Sequence, residues 1–290
     1  MQRIFNVYYR KLTIQGSIMT NKQNLHVHTT YADGRDTPEE IILAAIEKGF
    51  DSIGFSEHSY MPYSTYPYQM TVADTETYKK EIAALKSKYK GIIDVFCGIE
   101  FELFSDIDTH DFDYLIGSVH YLEHNGNIIG FDRGLSETVA LINNHFDGDG
   151  LKFAKKYFET VMTLPEKRSF DIVGHFDVLA KNNEKGRFID TLSDSYLKMG
   201  IEAINSLRGK IPLFEVNTGA ISRGYTSIPY PQTEFLKEFK RCGFGAIITS
   251  DCHNKDFLDC GYDKAQQLLL EAGFKSKWIL TDSGFTEVSI

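Results

Sequence analysis

The amino-acid sequence predicts an α/β barrel folded as one domain, and three observations carry that expectation. Short apolar, β-branched runs alternate with longer segments of helical periodicity, the pattern of βα units around a parallel sheet. Seven such runs occur, which favours a barrel over an open sheet. Histidines and carboxylates recur at the C-terminal ends of those runs, the end that carries the active site in α/β barrels.

The strands are expected at residues 24–29, 51–57, 93–103, 113–120, 171–175, 212–217 and 245–251, with a further short run, 278–281, ending the barrel. The first helix is read from Thr37 as N-cap, Pro38 at the first helical position and Glu39 and Glu40 in the first turn. It covers 41–48 and stops at Gly49, a glycine where the chain leaves a helix. Similar patterns predict helices over 75–89, 150–162, 193–206, 232–242 and 264–272. Residues 24–290 form the barrel domain. Residues 1–23 are read as an N-terminal extension or as the product of an upstream start, with Met19 shortly before the first strand.

Composition narrows the function classes. The chain has 290 residues and a formal net charge of −9, which argues against nonspecific binding to nucleic acid, where Lys and Arg must displace counterions. An anionic small substrate stays compatible, because bound cations reverse the local field. There is no run of 18 apolar residues, so no membrane partner is expected. The four cysteines form no C-x-x-C pair and read as reduced thiols of a cytoplasmic protein. Oligomeric state is not legible.

The chemistry lies at the strand ends. His26 and His28 form H-x-H on the first strand, and period 2 points both imidazoles to one face. Asp33 follows in an Asp-Gly turn. His58 closes the second strand, with Glu57 on the opposite face in a structural or supporting role. Glu100 and Glu102 share a face at the end of the third strand, and sequence does not choose between them. His120 ends the fourth strand, His175 the fifth, and Asp251 and His253 the seventh, with Cys252 turned away. Each has an ordinary structural reading alone. Together they place an imidazole or carboxylate at six of seven strand ends, which core packing does not explain. His110, His124 and His145 are expected in loops or on a helix, solvated.

As an ordered set these residues resemble the PHP superfamily, named for polymerase and histidinol phosphatase, and within it the histidinol-phosphate phosphatase branch. The similarity runs from about Leu25 to the C-terminus. It implies a distorted (β/α)7, TIM-like barrel of the PHP type and three divalent metal ions, Zn first with Mn or Fe as alternatives. It implies that His26, His28, Glu100 and Asp251 hold the first metal, Glu100, His120 and His175 the second, and Asp33, His58 and His253 the third. The Gly-x-Glu match favours Glu100 over Glu102. Glu100, Asp251 and His253 carry the catalytic role. Arg223 matches a phosphate-binding basic position; Lys181 stands where relatives carry Arg, with Arg187 as the alternative second contact.

The reaction implied is hydrolysis of a small phosphorylated substrate, L-histidinol phosphate, by a metal-activated water without a covalent intermediate. Asp177, two residues after His175, is a candidate to orient a ligand histidine. The alternatives are another phosphoesterase of the superfamily, acting on nucleotides or DNA ends, and a noncatalytic metal-binding domain. The aromatic stretch 60–68 is a candidate wall for the alcohol end of the substrate.

Overall fold

The computed structural model describes residues 21–64 and 69–290. Residues 1–20, most of the expected extension, and 65–68, part of the aromatic stretch, lie outside the described residues. Seven strands, β1 (Gln23–Asn24), β2 (Ser52–His58), β3 (Asp94–Glu102), β4 (Tyr114–Ser118), β7 (Ile172–Val173), β8 (Leu213–Asn217) and β9 (Gly245–Thr249), pair in parallel in that order. The sheet curls until its ends meet. Val27 bridges Cys252, with the His28 N–H donating to the Cys252 carbonyl at 2.9 Å and the Cys252 N–H to that of His26 at 3.1 Å.

The helices around it are α1 (Pro38–Glu47), α2 (Val72–Lys88), α3 (Leu135–His145), α4 (Gly150–Val161), α5 (Asp194–Leu207), α6 (Thr233–Cys242) and α7 (Tyr262–Glu271). Their starts follow from local chemistry. Thr37 with Glu40, and Thr71 with Asp74, form reciprocal capping boxes, while Asp149 and Ser193 cap α4 and α5 by accepting backbone N–H groups. Gly243 ends α6 at φ +83°, a conformation that suits glycine.

Period 2 explains where the site lies. The inward series of β3 reads Phe96, Gly98, Glu100, Glu102, from apolar floor to carboxylate mouth. β8 repeats this with Leu213, Glu215 and Asn217. The floor is a separate apolar cluster of Leu25, Phe96, Tyr114, Ile116, Ile172, Leu213, Ile247 and Leu280. Tyr114 lies across it, its hydroxyl donating to the carbonyls of Leu25 and Phe55. Gly98 is its lateral partner, and a Cβ there would meet the ring 2.2 Å away.

Three expectations are corrected. Residues 278–281 do not end the barrel: β10 (Ser276–Thr281) and β11 (Gly284–Ser289) form an antiparallel hairpin of their own. The Val27–Cys252 pairing already closes the sheet, and Gln23 ties the hairpin beneath it through both its amide atoms to Leu280. Second, His124 lies neither in a loop nor on a helix. A hairpin, β5 (Tyr121–His124) and β6 (Asn127–Gly130), turns at Asn125-Gly126, both at positive φ, and α3 follows. His124 is therefore on a strand. Third, the first and fifth strands are two-residue strands rather than six and five. Past Asn24 the chain departs from the ladder, with Val27 and Thr29 N–H groups donating to the side chains of Ser56 and Glu57. No helix among the described residues is long and apolar enough to cross a membrane.

Candidate metal centre

All nine predicted ligand residues converge at the C-terminal mouth of the barrel. His26, His28, Glu100, His175 and Asp251 are buried; Asp33, His58, His120 and His253 are partly exposed toward a cleft. Glu100 is central. Its Oε1 lies 2.8 Å from His175 Nε2, 3.4 Å from His120 Nε2 and 3.5 Å from His26 Nε2. Its Oε2 lies 2.6 Å from His58 Nδ1 and 3.7 Å from His28 Nε2. Asp251 Oδ1 is 3.4 Å from His28 Nε2 and 4.0 Å from His26 Nε2. On the outer side, Asp33 Oδ1 is 3.1 Å from His253 Nε2 and 3.6 Å from His58 Nε2.

The chemistry of these atoms fits divalent cations. Donors about 2.0–2.2 Å from one ion stand roughly 3–3.5 Å apart, close to the separations here. In three overlapping groups the donor atoms all lie within 4.8 Å of one another: His28, Asp33, His58 and His253; His26, His28 and Glu100; His58, Glu100 and His120. His26 Nε2, both ring nitrogens of His28, Asp33 Oδ1 and Glu100 Oε2 are buried without a hydrogen-bond partner. Buried polar atoms are rarely left so, and a cation would satisfy them. Imidazoles and carboxylates without thiolate suit Zn, Mn or Fe. Cys252 points away, its Sγ donating to the Asn254 carbonyl at 2.7 Å.

Electrostatics keep the carboxylates and His28 in their ligating forms. Burial opposes charge on His26, His58 and His120, but neighbouring carboxylates, Glu215 for the first and Glu100 for the other two, outweigh it and raise them. A cation there would displace ring protons. Burial opposes charge on Glu100, but His58, His120 and His26 hold its carboxyl well below the usual range. Burial likewise opposes charge on Asp251, and Arg223 and then His26 outweigh it. His28 is pushed down to about 3 by burial and by His253 and His58, so it presents a neutral imidazole. Asp251 sits at φ +45°, sparsely populated for a residue with a side chain and tolerated by Asp.

Two carboxylates that sequence reasoning did not place in this role hold the histidines. Glu215 Oε2 accepts from His26 Nδ1 at 2.9 Å and from Thr249 Oγ1 at 2.8 Å; its Oε1 accepts from the His175 N–H at 2.6 Å and from Asn217 Nδ2 at 2.9 Å. Glu102 Oε2 accepts from the His120 N–H at 2.8 Å and from His120 Nδ1 at 3.1 Å. Each Nδ1–H donor leaves Nε2 free to face the cluster. The expected role of Asp177 is not the one found: its Oδ2 accepts the Gln232 N–H at 3.2 Å. Glu57 is buried and accepts from the N–H and hydroxyl of Thr29.

The cluster forms one wall of a cleft of about 390 Å3. Arg223 and Lys181 both line it. Arg223 donates to Asp251 Oδ2 at 3.0 Å and to its carbonyl at 3.0 Å, and approaches His253 Nδ1 at 2.8 Å. Lys181 pairs with Asp132 and lies over the Tyr225 ring, 4.9 Å from its centroid. Arg187 is exposed and is not part of the lining. Of the aromatic stretch, Met61 reaches the cleft, tied to Gln69 by two hydrogen bonds of 3.0 Å.

A parallel barrel with histidines and carboxylates gathered at its C-terminal mouth has the architecture of a metallohydrolase. The PHP domain family model matches residues 24–208, and the chain belongs to that family. It is 27% identical over 247 residues to a probable histidinol-phosphatase from Deinococcus radiodurans, covering 81% of this chain and 87% of the relative. A probable histidinol-phosphatase from Schizosaccharomyces pombe is 26% identical over 259 residues, 82% of each chain. The fold is shared with histidinol phosphate phosphatase from Lactococcus lactis, solved with Zn, L-histidinol and phosphate: TM-score 0.69, 20% identity, 92% of this chain and 99% of that one.

Proposed function

We propose that the protein is a metal-dependent phosphomonoesterase that hydrolyses L-histidinol phosphate to L-histidinol and phosphate in the cytoplasm, where its four free cysteines stay reduced. One observation carries the reading: seven of the nine imidazole and carboxylate side chains line a single cleft with the cations Arg223, Lys181 and Arg133, and the other two, His26 and His28, lie buried against Glu100. The names of relatives matched over four fifths of the chain support the substrate.

Three divalent ions, Zn first and Mn or Fe as alternatives, would be held by His26, His28, Glu100 and Asp251, by Glu100, His120 and His175, and by Asp33, His58 and His253. Bound there they would supply Lewis acidity toward the phosphoryl group and toward water. The chain's own groups do the rest. Arg223, its guanidinium held by Asp251, keeps a positive charge and its remaining N–H donors at the cleft for phosphoryl oxygens. Lys181, paired with Asp132, lines the same cleft as a second cationic donor. These cations stabilise charge on the equatorial oxygens as the transition state forms. Glu100, Asp251 and His253 border the reacting phosphate, with Glu100 joining two donor groups. Glu215 and Glu102 fix the tautomers of His26 and His120.

The test is phosphate release from L-histidinol phosphate, other phosphomonoesters, nucleotides and a phosphodiester, with Zn or Mn added and with a chelated control. Metal-dependent preference for L-histidinol phosphate is expected, and His120→Ala should abolish it in a folded protein. A folded, metal-loaded protein that leaves L-histidinol phosphate intact would overturn the proposal.

A further inference from the structure

The phosphate end of the cleft is accounted for by the cluster, Arg223 and Lys181. The rest of the lining must read the alcohol. If the substrate is the amino alcohol ester proposed above, on which this inference rests, its leaving group carries a protonated amine that needs an anionic partner. Six carboxylates line the cleft: Asp33, Glu100, Glu102, Asp132, Glu137 and Asp251. Asp33, Glu100 and Asp251 are committed to the histidine cluster. Glu102 spends Oε2 on the N–H and Nδ1 of His120; its Oε1 is buried without a hydrogen-bond partner, but it stands beside a histidine of the cluster rather than at the rim. Asp132 is neutralised by Lys181.

Glu137 remains. It lies in the first turn of α3, exposed to solvent and at the rim of the cleft. Its Oε2 accepts only a hydroxyl proton, from Ser136 at 2.8 Å, among the side-chain hydrogen bonds seen. That bond, its own backbone N–H and the charge of Arg133, which also lines the cleft, hold it below the usual carboxylate range, and it is ionised at neutral pH. The carboxylate folds back over Gly134, where any Cβ would stand 2.8 Å from Oε2. A residue larger than glycine at 134 would displace it.

We infer that Glu137 is the specificity-determining residue of the cleft and receives the protonated amine of the substrate's alcohol portion. A carboxylate that only supports the start of α3 would be indifferent to the charge of the ester. The two roles therefore separate on selectivity, not on rate.

The test compares wild type with Glu137→Gln, both metal-loaded, on L-histidinol phosphate and on phenyl phosphate, whose leaving group has no amine. The kcat/KM ratio of the first to the second should fall about tenfold in the variant, and calorimetric binding of L-histidinol should weaken by about the same factor. Glu137→Lys should lower the ratio further. An unchanged ratio together with unchanged L-histidinol affinity would refute the role of Glu137. A wild-type protein that hydrolyses phenyl phosphate but shows no preference for the amine-bearing ester would refute it too. Wild type that hydrolyses neither ester refutes the phosphatase reading itself, a result distinct from a failed Glu137 comparison.

Discussion

Replacing Glu215 by alanine should loosen both the fold and the metal centre. The side chain is fully buried and accepts four hydrogen bonds, from His26 Nδ1, Thr249 Oγ1, the His175 N–H and Asn217 Nδ2. Two of these donors can adapt. The Thr249 hydroxyl can rotate, and Asn217 Nδ2 already lies 3.4 Å from Asp251 Oδ2. The other two, a backbone N–H and a ring nitrogen packed in the barrel, cannot. At about 1–3 kcal/mol for each stranded donor, plus the space left by the side chain, the loss comes to roughly 3–5 kcal/mol. For a chain of this length that is a fall of about 5–8 °C in melting temperature. His26 and His175 would also lose their orientation, which should weaken metal binding by about 10–100-fold. Calorimetric melts of metal-stripped protein measure the first effect, and competition with a chromophoric chelator measures the second. A variant that melts within about 1 °C of wild type and competes equally well for metal would refute the argument that Glu215 braces the centre.

Two further outcomes test the scaffold. Gly98→Ala places a methyl 2.2 Å from the Tyr114 ring, which two hydrogen bonds hold in place; it should cost at least about 1–3 kcal/mol in denaturant titration, and Tyr114→Leu in the same chain should recover part of that. Asp259 is held below its ordinary range: its partial burial works against ionisation, and Lys22 and Lys48, at 2.7 and 3.1 Å, outweigh it. A lowered folded-state pKa gives stability that is present above the unfolded value of about 3.9 and is lost as pH falls through the folded one. Solvent screening limits the gain to about 1 kcal/mol. The gap between wild type and Asp259→Asn should therefore be small at pH 7, close below pH ~4 and shrink in high salt; a gap that widened on acidification would sink the assignment.

Much of the architecture was legible because its signals are local. The capping of α1 at Thr37 and the C-terminal glycines are written in neighbouring residues, and the alternation of runs set the barrel. The gathering of His26, His28, Glu100, His120, His175, Asp251 and His253 followed from their positions at strand ends, since parallel strands in a barrel bring those ends to one rim. What escaped depends on partners distant in sequence. Glu215 reads as one more residue in an apolar strand until the fold sets it 2.9 Å from His26. Asp177 was singled out by adjacency to His175, but burial turned it toward Gln232. The β5–β6 hairpin has a local signal, Asn125-Gly126 between short apolar runs, that does not belong to the βα alternation. Glu137 and Asp132 became visible only once that hairpin placed the start of α3 beside the cleft.

Among the described residues, the tyrosine laid over the barrel floor closes that end of the barrel. With Tyr114 hydrogen-bonded to β2 and to the segment just after β1, apolar side chains filling the layer around it and Leu280 of the β10–β11 hairpin below, the axis is blocked among the described residues. Whatever enters the mouth must leave by it, so departure is ordered by depth. In the proposed reaction the alcohol, lying outermost, clears the exit before the phosphate behind it can escape, and inorganic phosphate should compete with fresh ester for the vacated interior.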